Sequence, residues 1–186
     1  MPILGIIASQ NYVRVAPDTG AMFPIAMVNV GSAGSSFIEF TSIPSTYKHL
    51  QIRLFVRPTS SSNGPVFMQL NSDTGSNYTR HSLRGDSSTV YTSGSTSQTS
   101  MYFNGFNVYS AGSDYPTTAI IDILDYANTN KYKTVRTLAG LNNNTSGEVG
   151  LYSGSWLNTN AINSIKLFDN VNYGQYTQAA LYGIKG

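Results

Sequence analysis

The sequence predicts an all-β chain, an antiparallel β-sandwich of jelly-roll type with an extended N-terminal arm. Three observations lead there. Runs of strand formers alternate apolar and polar side chains with a period of two. Clusters of Gly, Asn, Ser and Pro recur between those runs and read as turns. No window forms a convincing amphipathic helix; the best, Ser155 to Ile162, is weakened by Asn158, Thr159 and Asn160.

Residues 1–35 differ from the rest. Pro2, Pro17 and Pro24 interrupt two apolar pieces, Ile3 to Ala8 and Met22 to Val30, and a Gly/Ser stretch from Gly31 to Ser36 follows. Pro and Gly at this density break helices. The segment reads as an assembly arm (1–35, with its hinge) leading into a sandwich domain (36–186). Ile25 to Val30 reads equally well as the first strand of the domain. The clearest alternation follows, with Leu50, Ile52, Leu54 and Val56 on one face and Gln51, Arg53, Phe55 and Arg57 on the other. Pro58 ends it. Val66 to Leu70 is a further strand, Asn71 to Gly75 its turn, and Tyr78 to Leu83 the return, with a second turn expected at Arg84-Gly85-Asp86. Ser87 to Ser100 is low in complexity and lacks large aliphatics. It reads as a loop or a polar edge strand that buries little. Strand signals resume at Met101 to Tyr109, Thr117 to Tyr126, Lys133 to Leu141, Glu148 to Trp156, Ile162 to Phe168 and Ala179 to Ile184.

Composition narrows the function classes. The 186 residues suit one domain with a short appendage. Charged residues make up 11% against a usual share of roughly 25%, and polarity comes from 24 Ser, 18 Thr and 17 Asn instead. A net charge of +2 is too small and too scattered for a phosphate-binding surface, so no nucleic-acid partner is expected. Without Cys there is neither a disulfide framework nor a cysteine zinc site. No stretch approaches the ~20 apolar residues of a membrane-spanning helix, and Ile3 to Ala8 lacks the cationic lead of a secretory signal, so a soluble chain with no membrane partner is expected.

Motifs for chemistry are absent. The two histidines, His49 and His81, lie in no metal-ligand spacing, and there is no nucleophile elbow. Each is expected to be a hydrogen-bonded structural residue. Asp122 and Asp125 are three apart, which on a strand points them to opposite faces, so they cannot pair for sugar hydrolysis. Asn71 to Asn77 carries oxygens at alternate positions as calcium loops do, but lacks the acids to neutralise the ion and reads as a plain turn. No catalytic residue, metal or cofactor is expected, and the chain is read as a non-enzyme. Two groups stand out for contact. Ile3, Leu4, Ile6 and Ile7 make an arm too apolar for water, suited to a neighbour's sheet edge or groove. Tyr91, Tyr102, Tyr109 and Tyr115 are candidate ligand or interface aromatics, since Tyr joins a rigid apolar ring to a polar tip.

Four strings carry a resemblance. They are Met-Pro-Ile-Leu-Gly-Ile-Ile-Ala-Ser (1–9), Ser-Ile-Pro-Ser-Thr-Tyr-Lys-His-Leu-Gln-Ile-Arg (42–53), the stretch from Ile120 through Arg136, and the closing Ala-Leu-Tyr-Gly-Ile-Lys-Gly (180–186). With them the chain resembles a family of small structural virion proteins of tailed bacteriophages, common in environmental and cyanobacterial phages. The resemblance implies a non-enzymatic particle component made in the host cytoplasm and placed on the virion exterior. An outer capsid decoration (cement) or head-fibre protein fits best, with major capsid or tail proteins as partners. By analogy with exterior phage proteins it implies a homotrimer. A tail or adhesion module binding host surface glycan through Tyr-rich loops is the alternative.

Overall fold

The computed structural model describes residues 20–59, 65–103, 115–142 and 147–186. Within them twelve strands and no helix are found, arranged as two antiparallel sheets. The strands are β1 (Met22–Asn29), β2 (Ser35–Phe40), β3 (His49–Val56), β4 (Val66–Leu70), β5 (Tyr78–Asp86), β6 (Val90–Gln98), β7 (Met101–Phe103), β8 (Thr117–Leu124), β9 (Lys133–Asn142), β10 (Gly147–Trp156), β11 (Ile165–Tyr173) and β12 (Gln178–Ile184). Eight strands form one sheet in the order β1-β12-β3-β8-β9-β10-β5-β6; four form the other in the order β2-β11-β4-β7. The all-β sandwich is therefore shown; jelly-roll winding is a finer statement than this strand order makes.

The alternation read from the sequence is what builds the core. Leu50, Ile52, Leu54 and Val56 all point inward on β3, joined by Ile121 and Ile123 of β8 and Val135 of β9. Across from them the small sheet contributes Ile38 and Phe40, Met68 and Leu70, Met101 and Phe103, and Ile165 and Leu167. These side chains form one continuous hydrophobic cluster, at roughly 1.5–3 kcal/mol for each large residue fully removed from water. The stretch Met22 to Asn29 is β1, an edge strand paired with β12 from Met22↔Ile184 to Asn29↔Gln178. It belongs to the body of the sandwich. The Ser/Thr-rich stretch is the opposite edge strand, β6, whose residues are exposed or half-buried throughout. Arg84, Gly85 and Asp86 lie within β5, and the turn falls one step later. There the Asp86 carboxylate accepts from the Ser88 and Thr89 amides, each at 2.7 Å. The stretch after Trp156 is irregular and contains no helical turn.

Polar devices close the ends of the sandwich. Lys133 falls on an inward position of β9 and is fully buried. Its ammonium has three donors, and they meet the carbonyls of Asn128 (2.5 Å), Lys131 (2.9 Å) and Thr159 (3.0 Å). The loop from β4 to β5 is fixed by Asp73. One carboxylate oxygen accepts from the Gly75 amide at 2.8 Å; the other accepts from Asn77 at 2.9 Å and from the buried Trp156 indole at 2.7 Å. With its acceptor capacity engaged in this way, the segment is the plain turn the sequence suggested. Trp156 stacks on Tyr78, whose hydroxyl donates to the Asp73 carbonyl at 3.0 Å. A third device is Asp125, just past β8 in the left-handed region at φ 49°, which Asp tolerates. It pairs with Lys131 and, at 3.1 Å, with Lys48. Its amide donates to His49 Nδ1 at 2.9 Å, which gives His49 the structural bond expected of it.

Two outcomes test these devices. Asp73→Ala removes the carboxylate that accepts from the Trp156 indole and should cost about 1–3 kcal/mol, the cost of an orphaned buried donor. Chemical denaturation read by fluorescence checks it, because Trp156 is the single tryptophan. The Lys131 and Lys48 ammonium groups hold the Asp125 carboxyl down at about 2, from an ordinary 3.8. A folded value below the unfolded one means that the pairs stabilise fully above about pH 4 and lose that contribution as pH falls towards 2. The urea midpoints of the native chain and Asp125→Asn should differ above that window and converge within it; a constant gap down to pH 2 would exclude the ion pairs as its cause.

Candidate functional site: the outer face of the large sheet

The small sheet packs against one face of the eight-stranded sheet. Among the described residues nothing covers the other face, and its composition follows from register. Paired residues on neighbouring strands point to the same side, so the outward positions fall into rows that run across the strands.

The middle row is aliphatic. Thr92 of β6 lies beside Leu83 of β5, then Leu151 of β10, Leu138 of β9, Ile120 of β8, Arg53 of β3, Ala180 of β12 and Met27 of β1. Leu83, Leu151, Leu138 and Ile120 sit on four adjacent strands and are 48%, 53%, 50% and 40% exposed. One row over, Val90, Gly85, Val149, Gly140, Thr118 and Phe55 follow the same registers. Val90 protrudes furthest, at 71% exposed. On the other side runs a polar row of His81, Ser153, Arg136, Asp122, Gln51 and Tyr182. Here the Gln51 amide donates to Asp122 at 2.9 Å, Arg53 Nε donates to the Gln51 side-chain oxygen at 3.3 Å, and the Arg53 guanidinium lies 5.7 Å from the Tyr182 ring centre. Two shallow hollows flank the aliphatic row, of about 780 Å³ towards the polar row and about 720 Å³ towards Phe55 and Gly140.

Sequence reasoning missed this face. Its members come from eight segments scattered from Met27 to Tyr182, and only register brings them together. Asp122 lies here and Asp125 in the ion cluster beyond the strand end. His81 also lies here, with its ring over Gly94 of β6. The row separates His81 and Asp122 by three strand steps, about 14 Å. That is too far for the two to work as an acid–base pair on one bond, which needs roughly 5–9.5 Å. No group of three or more His, Asp or Glu that could hold a metal ion occurs among the described residues.

The aromatics singled out from the sequence are not gathered into one platform. Tyr91 is on β6, where its hydroxyl donates to Asp86 at 3.1 Å and Arg84 lies 5.1 Å from its ring. Tyr102 is on β7 of the other sheet, under the guanidinium of the buried Arg80 at 3.5 Å. Tyr115 precedes β8 and is exposed. Tyr109, and the arm residues Ile3, Leu4, Ile6 and Ile7, lie outside the described residues. No helix among the described residues is long and apolar enough to cross a membrane.

No protein-family model and no curated protein matches the chain. Among solved structures it is similar to alginate lyase Aly36B in complex with an alginate tetrasaccharide, at 11% identity over 80% of this chain and 78% of that one, with a TM-score of 0.33. It is also similar to a protein of unknown function from Shewanella oneidensis, at 11% identity over 89% of this chain and 77% of that one, with a TM-score of 0.25. The first of these corrects the reading of the chain as a non-enzyme, because an enzyme stands among the structures it matches. The physical reason is that catalytic constellations are assembled in space and are recognised by geometry, so missing sequence motifs exclude none. A TM-score of 0.33 carries no activity over to this chain.

The outward aliphatics contribute nothing to the core. Leu138→Ser and Leu151→Ser should therefore leave the unfolding free energy in dilute solution within about 0.5 kcal/mol of native, as surface substitutions do. Urea titration at low protein concentration checks this. A loss of several kcal/mol would mean that the row is covered within the monomer.

Proposed function

We propose that the chain is a structural component of a tailed-phage particle, an outer capsid decoration or head-fibre protein on the virion exterior. It is held there by its leading apolar segment, and its outer sheet face docks a neighbouring subunit. The observation that carries this reading is the aliphatic row on Leu83, Leu151, Leu138 and Ile120. Contiguous exposed apolar surface rimmed by polar residues marks an interaction site in soluble proteins. This patch lies on a rigid sheet, the setting that suits a permanent contact. The strings that resemble the phage family support the same reading, as do Ile3, Leu4, Ile6 and Ile7, which precede the edge strand β1. The face holds few charges, so docking should depend weakly on salt.

Rebinding to stripped particles tests it. Purified chain added to phage heads from which this protein has been removed should bind saturably, and with little change when the salt is raised. Removal of residues 1–9, or Leu138→Asp together with Leu151→Asp, should reduce binding at least tenfold. Heads that stay bare with the native chain would end the proposal.

A further inference from the structure

We infer that a second copy of this chain stacks on the outer face of the eight-stranded sheet, about a two-fold axis that runs between β9 and β10 within about 15° of the strand direction. The inference rests on the reading of that face as a docking surface and names its occupant.

A two-fold contact requires a patch that complements itself, and the three rows do so around this axis. The axis reverses the strand order and keeps each row opposite its own copy. Leu138 then meets the partner copy's Leu151, and Ile120 meets its Leu83, so the four most contiguous aliphatics cover each other. In the next row Val149 faces Gly140, a protruding side chain over a position with none. Val90, the most exposed aliphatic of the face, comes over Phe55 and into the hollow that Phe55, Thr118 and Gly140 line. In the polar row Asp122 faces His81, and Arg136 faces Ser153. Arg53 comes opposite Thr92. No charge meets its like. An axis placed on β9 or on β10 itself would set Arg53 against Leu83 or Ile120 against Thr92 and lose these pairs.

The size is that of a small standard interface. The axis overlaps the six strands from β3 to β6 in sheet order, about 4.8 Å apart, with three outward rows about 6.8 Å apart, a patch of roughly 29 by 20 Å, or about 580 Å² per copy. Each partner in a standard interface buries about 600 to 1,000 Å². Stacked sheets settle about 10 Å apart with their strands turned by about 30°. The pairs nearest the axis, Leu138 with Leu151, therefore align best, and the outer pairs meet across side chains that reach.

The native chain should sediment as two copies. Asp122→His or His81→Asp alone should weaken association about tenfold by setting like groups opposite each other, and the two together should restore it. A monomer by sedimentation, a mass of three chains, a ladder of higher multiples, or a double exchange that does not restore association would overturn the inference. The readout is independent of the particle. A monomer that still rebinds stripped heads refutes the second copy alone, and a dimer that leaves the heads bare refutes the function alone.

Discussion

Four strands cannot cover eight, and that mismatch governs the rest of the molecule. Each sheet must bury one face, and the small sheet is only wide enough to shield the middle of the large one. Where cover is complete the inward residues are the largest aliphatics, as on β3, β8 and β11. Where it runs out, at β6, a strand with exposed or half-buried residues on both faces can bury almost nothing. Its nine residues from Val90 to Gln98 accordingly contain one aliphatic side chain among Ser, Thr, Gly, Tyr and Gln. Of the two readings of this low-complexity stretch, loop or polar edge strand, the second holds, and its composition is the one expected of a strand beyond the edge of its cover.

The same boundary explains the buried cations. Arg80 lies on an inward position of β5 beside β6, where the cover thins. Its guanidinium stacks on Tyr102 of the small sheet and bonds Tyr102 and the hydroxyls of Ser82 and Ser93. Lys133 stands at the inward start of β9 and meets three carbonyls from the irregular segments around it. Both positions are aliphatic in the alternation pattern but lie at a rim where backbone carbonyls and hydroxyls are close enough to satisfy a charge. A buried ammonium without those acceptors would be costly, so the loops at 128–131 and 159 are held in place as much by Lys133 as by their own turns.

The period-two signal made the strands legible because one buried face forces it. Leu50 to Val56 and Lys133 to Leu141 were plain for that reason, whereas Asp125, read as lying on one strand with Asp122, sits past the end of β8. The Asn71 to Asn77 turn was legible from its residue types. What the sequence did not reveal was register. A shift of one residue flips a strand's faces and a shift of two moves every row, and nothing local to Leu138 or His81 says which residue stands beside it. The outer face was therefore invisible: Ile120 and Leu138 each read as one more strand aliphatic, and their exposure appears only once the sheets are stacked. The turn expected at Arg84 to Asp86 failed on local chemistry, because Asp86 caps a turn that begins after it. The stretch after Trp156, whose Asn and Thr residues argued against a helix, forms Asx bonds such as Asn160 N to Asn158 at 2.9 Å.

Outward aliphatics on a stable sheet call for an account, because they do nothing for the fold and expose apolar surface that promotes association. A sheet can associate at its edges or on its face, and the two carry different risks. Edge association is unspecific, because any strand's amides and carbonyls can extend the ladder. Here the edge strand β6 offers little to hold a newcomer: its side chains are small and hydroxylic, and a register irregularity between Tyr78 and Arg80 disturbs its pairing with β5. The apolar surface sits instead in the middle of the face, on four central strands whose backbone groups are already paired on both sides. Association there cannot propagate through backbone hydrogen bonds and must be decided by side-chain shape. Concentrating the adhesive residues away from the edges directs contact to one surface, and a hydrophobic interface achieves specificity without the charges that this chain so largely lacks.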